Sequence, residues 1–110
     1  MLEWVRIPLD HEVPEGSMTP VTLAGKRLIL YRTRAGYFVS ERRCTHQGAD
    51  LLRGYFEDET IECPVHQGRF NVRTGKALSA PVTLALKTYP VRAEGEAIFV
   101  ELPGPAAGQP

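Results

Sequence analysis

Long hydrophobic runs, an excess of one charge and sustained helical periodicity are all missing from this 110-residue chain. No segment approaches the ~18 consecutive apolar residues that span a bilayer, so no membrane-crossing helix is expected. Thirteen basic and thirteen acidic side chains cancel. No broad field therefore draws the chain to nucleic acid or to an anionic membrane surface, and neither is expected as a partner. The opening residues, Met1 to Arg6, show no apolar stretch behind a basic region, so no secretory leader is expected either. Internal repeats, a glycine-rich phosphate loop and heptads are also lacking. Cysteine occurs only twice. In a cytoplasmic protein, the location these features favour, thiols stay reduced and bind metal more often than they pair.

What the chain does contain is frequent glycine and proline with short β-type segments between them. Val21 to Ala24 and Arg27 to Thr33 read as a hairpin turning at Gly25-Lys26. Tyr37 to Ser40 and Thr60 to Glu62 read as further strands. From Arg69 to Arg73, Phe70 and Val72 share one face and Asn71 and Arg73 the other, the period of a half-buried strand. Leu86 to Arg92 and Ala97 to Leu102 are joined across Glu94-Gly95-Glu96. Many short strands with a turn every ten or so residues predict an all-β fold, a sandwich or incomplete barrel. One domain is expected over residues 1–102. The Pro-, Gly- and Ala-rich segment 103–110 has little to bury and reads as a flexible tail.

The chemistry lies in two clusters, Cys44-Thr45-His46 and Cys63-Pro64-Val65-His66. They use both cysteines and two of the three histidines. Each cluster offers one thiolate and one imidazole, together the ligand complement of a Rieske [2Fe–2S] centre. Replacing two thiolates of an all-cysteine cluster by neutral imidazoles removes two negative charges. Reduction becomes easier, and the potential moves from about −400 mV into a range of about −150 to +300 mV. A chain that places both ligands of a loop on one cluster must bend sharply, and Gly48 and Gly68 each follow a histidine by two positions. Three other readings share these residues. A Cys44–Cys63 disulfide leaves the histidines unexplained. A structural zinc site takes the same donors, but Cys-x-His is an unusual knuckle and zinc fingers tend to carry their histidines on a helix. A catalytic Cys–His dyad needs one pair, not two matched ones.

The strings C-T-H-Q-G-A-D-L and C-P-V-H-Q-G-R-F resemble the two binding boxes of Rieske proteins. From about Val5 to Leu102 the chain resembles the small Rieske-type ferredoxins of bacterial aromatic-ring-hydroxylating dioxygenases. That resemblance implies stacked antiparallel sheets with a small cluster-binding subdomain at about residues 42–82. It implies one Rieske-type [2Fe–2S] cluster ligated by Cys44, His46, Cys63 and His66, with Pro81 in a third loop covering it. It implies an electron carrier, not an enzyme by itself, serving a flavin-dependent ferredoxin reductase and a terminal oxygenase component. The alternatives are the Rieske-like small subunit of an assimilatory nitrite reductase and a zinc-binding interaction module.

Respiratory and photosynthetic Rieske proteins carry an extra cysteine in each box, where this chain has Ala49 and Val65. They also carry a serine that donates a hydrogen bond to a cluster sulfide, where this chain has Gly68. Fewer donors stabilise the reduced cluster less, so a potential low in the Rieske range is expected. Arg42, Arg43, Arg53, Arg69 and Arg73 crowd the boxes and read either as a basic rim for an acidic partner or as solvated charge. Glu57-Asp58-Glu59 reads as a turn, His11 as a surface residue, Trp4 as core or edge packing, and Gln47 and Gln67 as lining for the exposed tip.

Overall fold

Four consecutive residues, Leu28-Ile29-Leu30-Tyr31, have no solvent exposure at all. Successive strand side chains point to opposite faces, so an unbroken apolar run is stable only where both faces of a sheet are covered. The computed structural model, which describes residues 2–103, shows that coverage. Its strands in chain order are β1 Leu2–Arg6, β2 Met18–Leu23, β3 Lys26–Thr33, β4 Gly36–Glu41, β5 Tyr55–Glu57, β6 Thr60–Glu62, β7 Arg69–Asn71, β8 Ala77–Ser79, β9 Thr88–Tyr89, β10 Val91–Glu94 and β11 Ala97–Pro103. Among the described residues the helical content is a single 3-10 turn at Leu51–Arg53, and no helix there is long and apolar enough to cross a membrane.

The strands form three antiparallel sheets, ordered β1-β11-β10, β2-β3-β4-β9 and β5-β6-β7-β8, and none closes into a barrel among the described residues. The second sheet is the middle layer. Leu28 and Leu30 pack on one side with Val39, Ile98, Val100 and Leu102, against the first sheet. Ile29 and Tyr31 pack on the other side with Cys44, Leu51, Ile61, Cys63, Phe70 and Val72, against the third sheet and its loops. The Phe56 ring lies tilted on Tyr31 at 5.0 Å between centroids. Tyr31 hydrogen-bonds Ser40 Oγ at 2.8 Å, and Ser40 donates its one hydroxyl proton to the Glu41 carbonyl at 2.9 Å. Tyr31 is therefore the donor in the first bond, and burial pushes its pKa upward.

Several strand limits differ from the sequence reading. The first hairpin turns at Ala24-Gly25, not Gly25-Lys26, because Lys26 pairs with Leu23. Ala24 and Gly25 both take positive φ, 51° and 77°, as a two-residue turn between right-twisted strands demands. The expected strand from Leu86 to Arg92 splits around Pro90, which has no N–H for a ladder. Leu86 instead lies in a loop, with its own side chain buried. Glu57 ends β5, leaving Asp58-Glu59 as the turn into β6. Trp4 is exposed on β1, not core, with the Arg92 guanidinium 4.7 Å above its ring. Pro103, assigned to the tail from the sequence, closes β11 opposite Leu2; positions 104–110 of that tail lie outside the described residues.

Candidate metal centre

Cys44 follows β4, and Cys63 sits between β6 and β7. Both cysteines start a loop closed in the same way. The Cys44 N–H donates to the Ala49 carbonyl at 2.9 Å, and the Cys63 N–H donates to the Gly68 carbonyl at 2.7 Å. Each closure spans five positions, so the two loops have equal length although one reads C-x-H and the other C-x-x-H. The first loop bends at Gly48, whose φ is +73°. The second bends earlier, at His66 and Gln67, with φ of 67° and 56°. Non-glycine residues adopt this left-handed conformation at an energetic cost, and they keep it where surrounding contacts over-determine it.

These loops bring together the four residues singled out from the sequence. The two thiols are buried, free of a disulfide, and belong to one core cluster. Burial pushes the Cys63 thiol pKa up; a backbone N–H from Val65 opposes that, and the neighbouring Cys44 thiol adds to it. The two imidazoles are exposed. Their ring centroids are 5.8 Å apart and their planes stand at 73°. Sulfur donors thus meet on the inside and nitrogen donors on the outside.

A third loop lies against both boxes. It runs through Ala80-Pro81, a cis peptide bond, to Leu86. Thr45 Oγ1 donates to the Leu84 carbonyl at 2.9 Å, tying this loop to the first box. On the second box, a β-carbon placed on Gly68 would come within 2.6 Å of Val82 Cγ1. Gly68 is therefore needed for close approach and not for a left-handed bend, which corrects the expectation that it matched Gly48. At the far end the Leu86 N–H donates to the Gly75 carbonyl at 2.7 Å. Pro81 is half-buried in this loop. Thr45, Val82 and Leu84 escaped the sequence reading, since nothing local marks a hydroxyl that bonds a carbonyl thirty-nine positions away.

The base of the first loop is fastened by charge. Arg42 donates from Nε and Nη2 to both Asp50 carboxylate oxygens, each at 2.8 Å, a bidentate geometry that fixes direction as well as distance. Asp50 Oδ1 also accepts from the Leu52 N–H at 3.0 Å. The Arg42 guanidinium and that N–H hold the Asp50 carboxyl at a pKa of about 2. Gln47 and Gln67 are exposed beside the histidines, while His11 hydrogen-bonds Asp10 in the N-terminal loop at 2.7 Å.

The donor set fits a two-iron cluster better than a single ion. Among the described residues no three His, Cys, Asp or Glu side chains gather where one metal ion could sit. A tetrahedral zinc site needs four donors around one point, whereas a Rieske centre needs two sulfur donors on one iron and two nitrogen donors on the other.

Comparison with known proteins agrees. Residues 3–90 match the Rieske [2Fe-2S] domain family. The ferredoxin component of the naphthalene 1,2-dioxygenase system of Pseudomonas aeruginosa is 44% identical over 100 residues, covering 91% of this chain and 96% of the relative. Among solved structures, the Sphingomonas yanoikuyae B1 ferredoxin superposes with a TM-score of 0.82 at 32% identity, covering 92% of this chain and 100% of that one. A ferredoxin solved in complex with the oxygenase of carbazole 1,9a-dioxygenase superposes at 0.80 with 32% identity, covering 88% and 91%. With a family match over most of its length and relatives of its own size, this chain belongs to the Rieske [2Fe-2S] domain family.

Proposed function

We propose that this protein is an electron-transfer ferredoxin, carrying single electrons from an NAD(P)H-dependent flavin reductase to the Rieske centre of a terminal aromatic-ring-hydroxylating oxygenase. It is a carrier and not itself the catalyst. Its relatives are named as ferredoxin components of dioxygenase systems, and the chain spans nearly their whole length. The cofactor is one Rieske-type [2Fe–2S] cluster, which supplies a one-electron store when bound. Cys44 and Cys63 would hold one iron and His46 and His66 the other, with Pro81 in the loop that shields them.

The observation that carries this reading is the polarity of the donor set, with paired thiols buried and paired imidazoles exposed. The buried sulfurs exclude water from the reactive side of the site. The exposed ring edges give a docked partner a short path to it. The third loop, pinned by Thr45 and seated on Gly68, keeps both boxes in place when the charge changes. No substrate pocket is required of such a carrier, and weak docking with fast release suits it. A cytoplasmic location is part of the proposal, since reduced thiols and a reductase supplied by NAD(P)H both belong there.

Reconstitution tests the proposal. With NADH, reductase and oxygenase present, aromatic hydroxylation should depend on added ferredoxin, and the reduced protein should give a Rieske-type paramagnetic resonance signal. Freshly isolated protein without acid-labile sulfide would overturn it.

A further inference from the structure

Beside the first loop lies an open cleft of about 390 Å³ walled by Lys26, Arg27, Glu41, Arg42, Arg43 and Asp50. Four cations face two carboxylates there, a surplus of two positive charges in a chain whose net charge is zero. The pairing of these groups is uneven. Arg42 is spent on Asp50, and Glu41 accepts from the Tyr89 hydroxyl at 2.7 Å. Among the described residues Lys26, Arg27 and Arg43 join no ion pair. By contrast, the arginines that follow the second box are tied back, Arg69 to Glu62 at 3.0 Å and Arg73 to Glu59 at 3.8 Å. Of the five arginines that crowd the boxes, Arg43 and Arg53, which flank the first loop in the chain, join no ion pair among the described residues, and Arg43 is the one that lines the cleft.

Arg43 is held against that loop. A β-carbon on Gly48 would come within 2.6 Å of Arg43 Nε and 3.0 Å of Nη2, so the guanidinium rests over the backbone two residues beyond His46. Lys26 and Arg27 reach the same cleft from the tip of the β2–β3 hairpin.

We infer that this cleft is a docking slot for a carboxylate-rich segment of the redox partner protein, setting how that partner sits over the paired histidines. The inference rests on the electron-carrier reading above. Charge surplus on one flank only would orient a partner as well as attract it, because the reversed pose loses the complementary contact. A protein carboxylate suits an open cleft with several separate cations, each able to take one oxygen.

The test uses the holoprotein with its reductase and its oxygenase in separate assays. Lys26→Gln combined with Arg27→Gln removes two charges at positions outside both cluster loops; Arg43→Gln is the second variant, and Arg43→Lys its conservative control. Visible spectra and reduction by dithionite should match the unaltered protein. At about 0.01 M ionic strength, kcat/KM for the ferredoxin should fall about tenfold with one partner, with kcat kept, and Arg43→Lys should restore part of the loss. At about 1 M, where the screening length shrinks to about 3 Å, variants and parent should converge. Equal kcat/KM with both partners at low salt would overturn the inference, as would a loss that persists undiminished at 1 M. If the unaltered protein passes electrons to neither partner, the carrier reading fails first, and that outcome is distinct.

Discussion

Val82 occupies the space where residue 68 would carry a side chain: a β-carbon on Gly68 would lie 2.6 Å from Val82 Cγ1 and 3.2 Å from Cγ2. The residue after Pro81 is thus seated on the second box, and the glycine is what lets the third loop come down. Val82 is itself almost fully buried, 5% exposed, so its methyl groups have little room to retreat.

Gly68→Ser should therefore cost stability by about 1–3 kcal/mol, the range for overpacking a filled site. Adding Val82→Ala should recover much of that loss. Urea melts of both single variants and the double variant give the coupling, expected to exceed about 0.5 kcal/mol. Strict additivity would mean the two residues do not share the space. In the double variant the serine hydroxyl adds a donor near the cluster, so its midpoint potential should exceed that of Val82→Ala alone.

Asp50→Asn should weaken the first loop in a pH-dependent way. The Asp50 carboxyl is shifted from its ordinary value of 3.8 down to about 2 by Arg42 and the Leu52 N–H. A depressed carboxylate stabilises the fold fully above the unfolded value, and that contribution disappears as pH falls through the folded one. The pair is partly exposed, with side-chain accessibilities of 19% and 28%, so screening reduces its worth to on the order of 1–2 kcal/mol. The gap between parent and variant in denaturant melts should stay constant from pH 7 to about 4 and narrow toward pH 2. A gap unchanged by pH would remove the ion pair as its cause.

The proposed ligands separate by chemistry. Cys44→Ala should abolish assembly, leaving protein with neither iron nor labile sulfide, because a buried donor that also anchors its loop is gone. His46→Cys or His66→Cys adds a negative charge, and where a cluster still forms its potential should move down toward the all-thiolate value of about −400 mV. Protein-film voltammetry reads the shift; a potential unmoved by the exchange would contradict the ligand assignment.

Ile29 and Leu30 are neighbours with no solvent exposure, yet they line different cores. Each truncation to alanine should cost about 2–5 kcal/mol in unfolding. Only Ile29→Ala opens space in the core that holds both cysteine side chains. Iron release to a chelator under native conditions should therefore speed up more in Ile29→Ala than in Leu30→Ala at matched stability. Equal rates would show that the two cores yield together.

Much of this organisation is legible along the chain because the signals are local. The all-β class follows from turn residues and period-two patterning, and the donor types and their spacing stand in two short strings. The apolar run at Leu28 to Tyr31 announces a strand covered on both faces. Turn positions were less legible. Ala24 carries a left-handed φ that alanine does not advertise, and the β-type pattern from Leu86 to Arg92 hides how firmly Pro90 interrupts pairing.

Other features had no local signature. The five arginines near the boxes look alike in sequence, but three are neutralised by partners brought in by folding, at Asp50, Glu62 and Glu59. Of the two left without an ion pair among the described residues, Arg43 and Arg53, Arg43 shares its cleft with Lys26 and Arg27 from a distant hairpin.

The amino-acid order alone set which atoms are available to bind metal, since donor chemistry is a property of the side chain and survives any fold. It also set the strand class, because alternation and turn propensity act over a few residues. Tertiary structure decided that the thiols meet inside and the imidazoles outside, that Val82 needs a glycine opposite it, and which cations stay unpaired. Those outcomes depend on contacts between residues tens of positions apart, and such contacts are chosen by the packing of whole sheets.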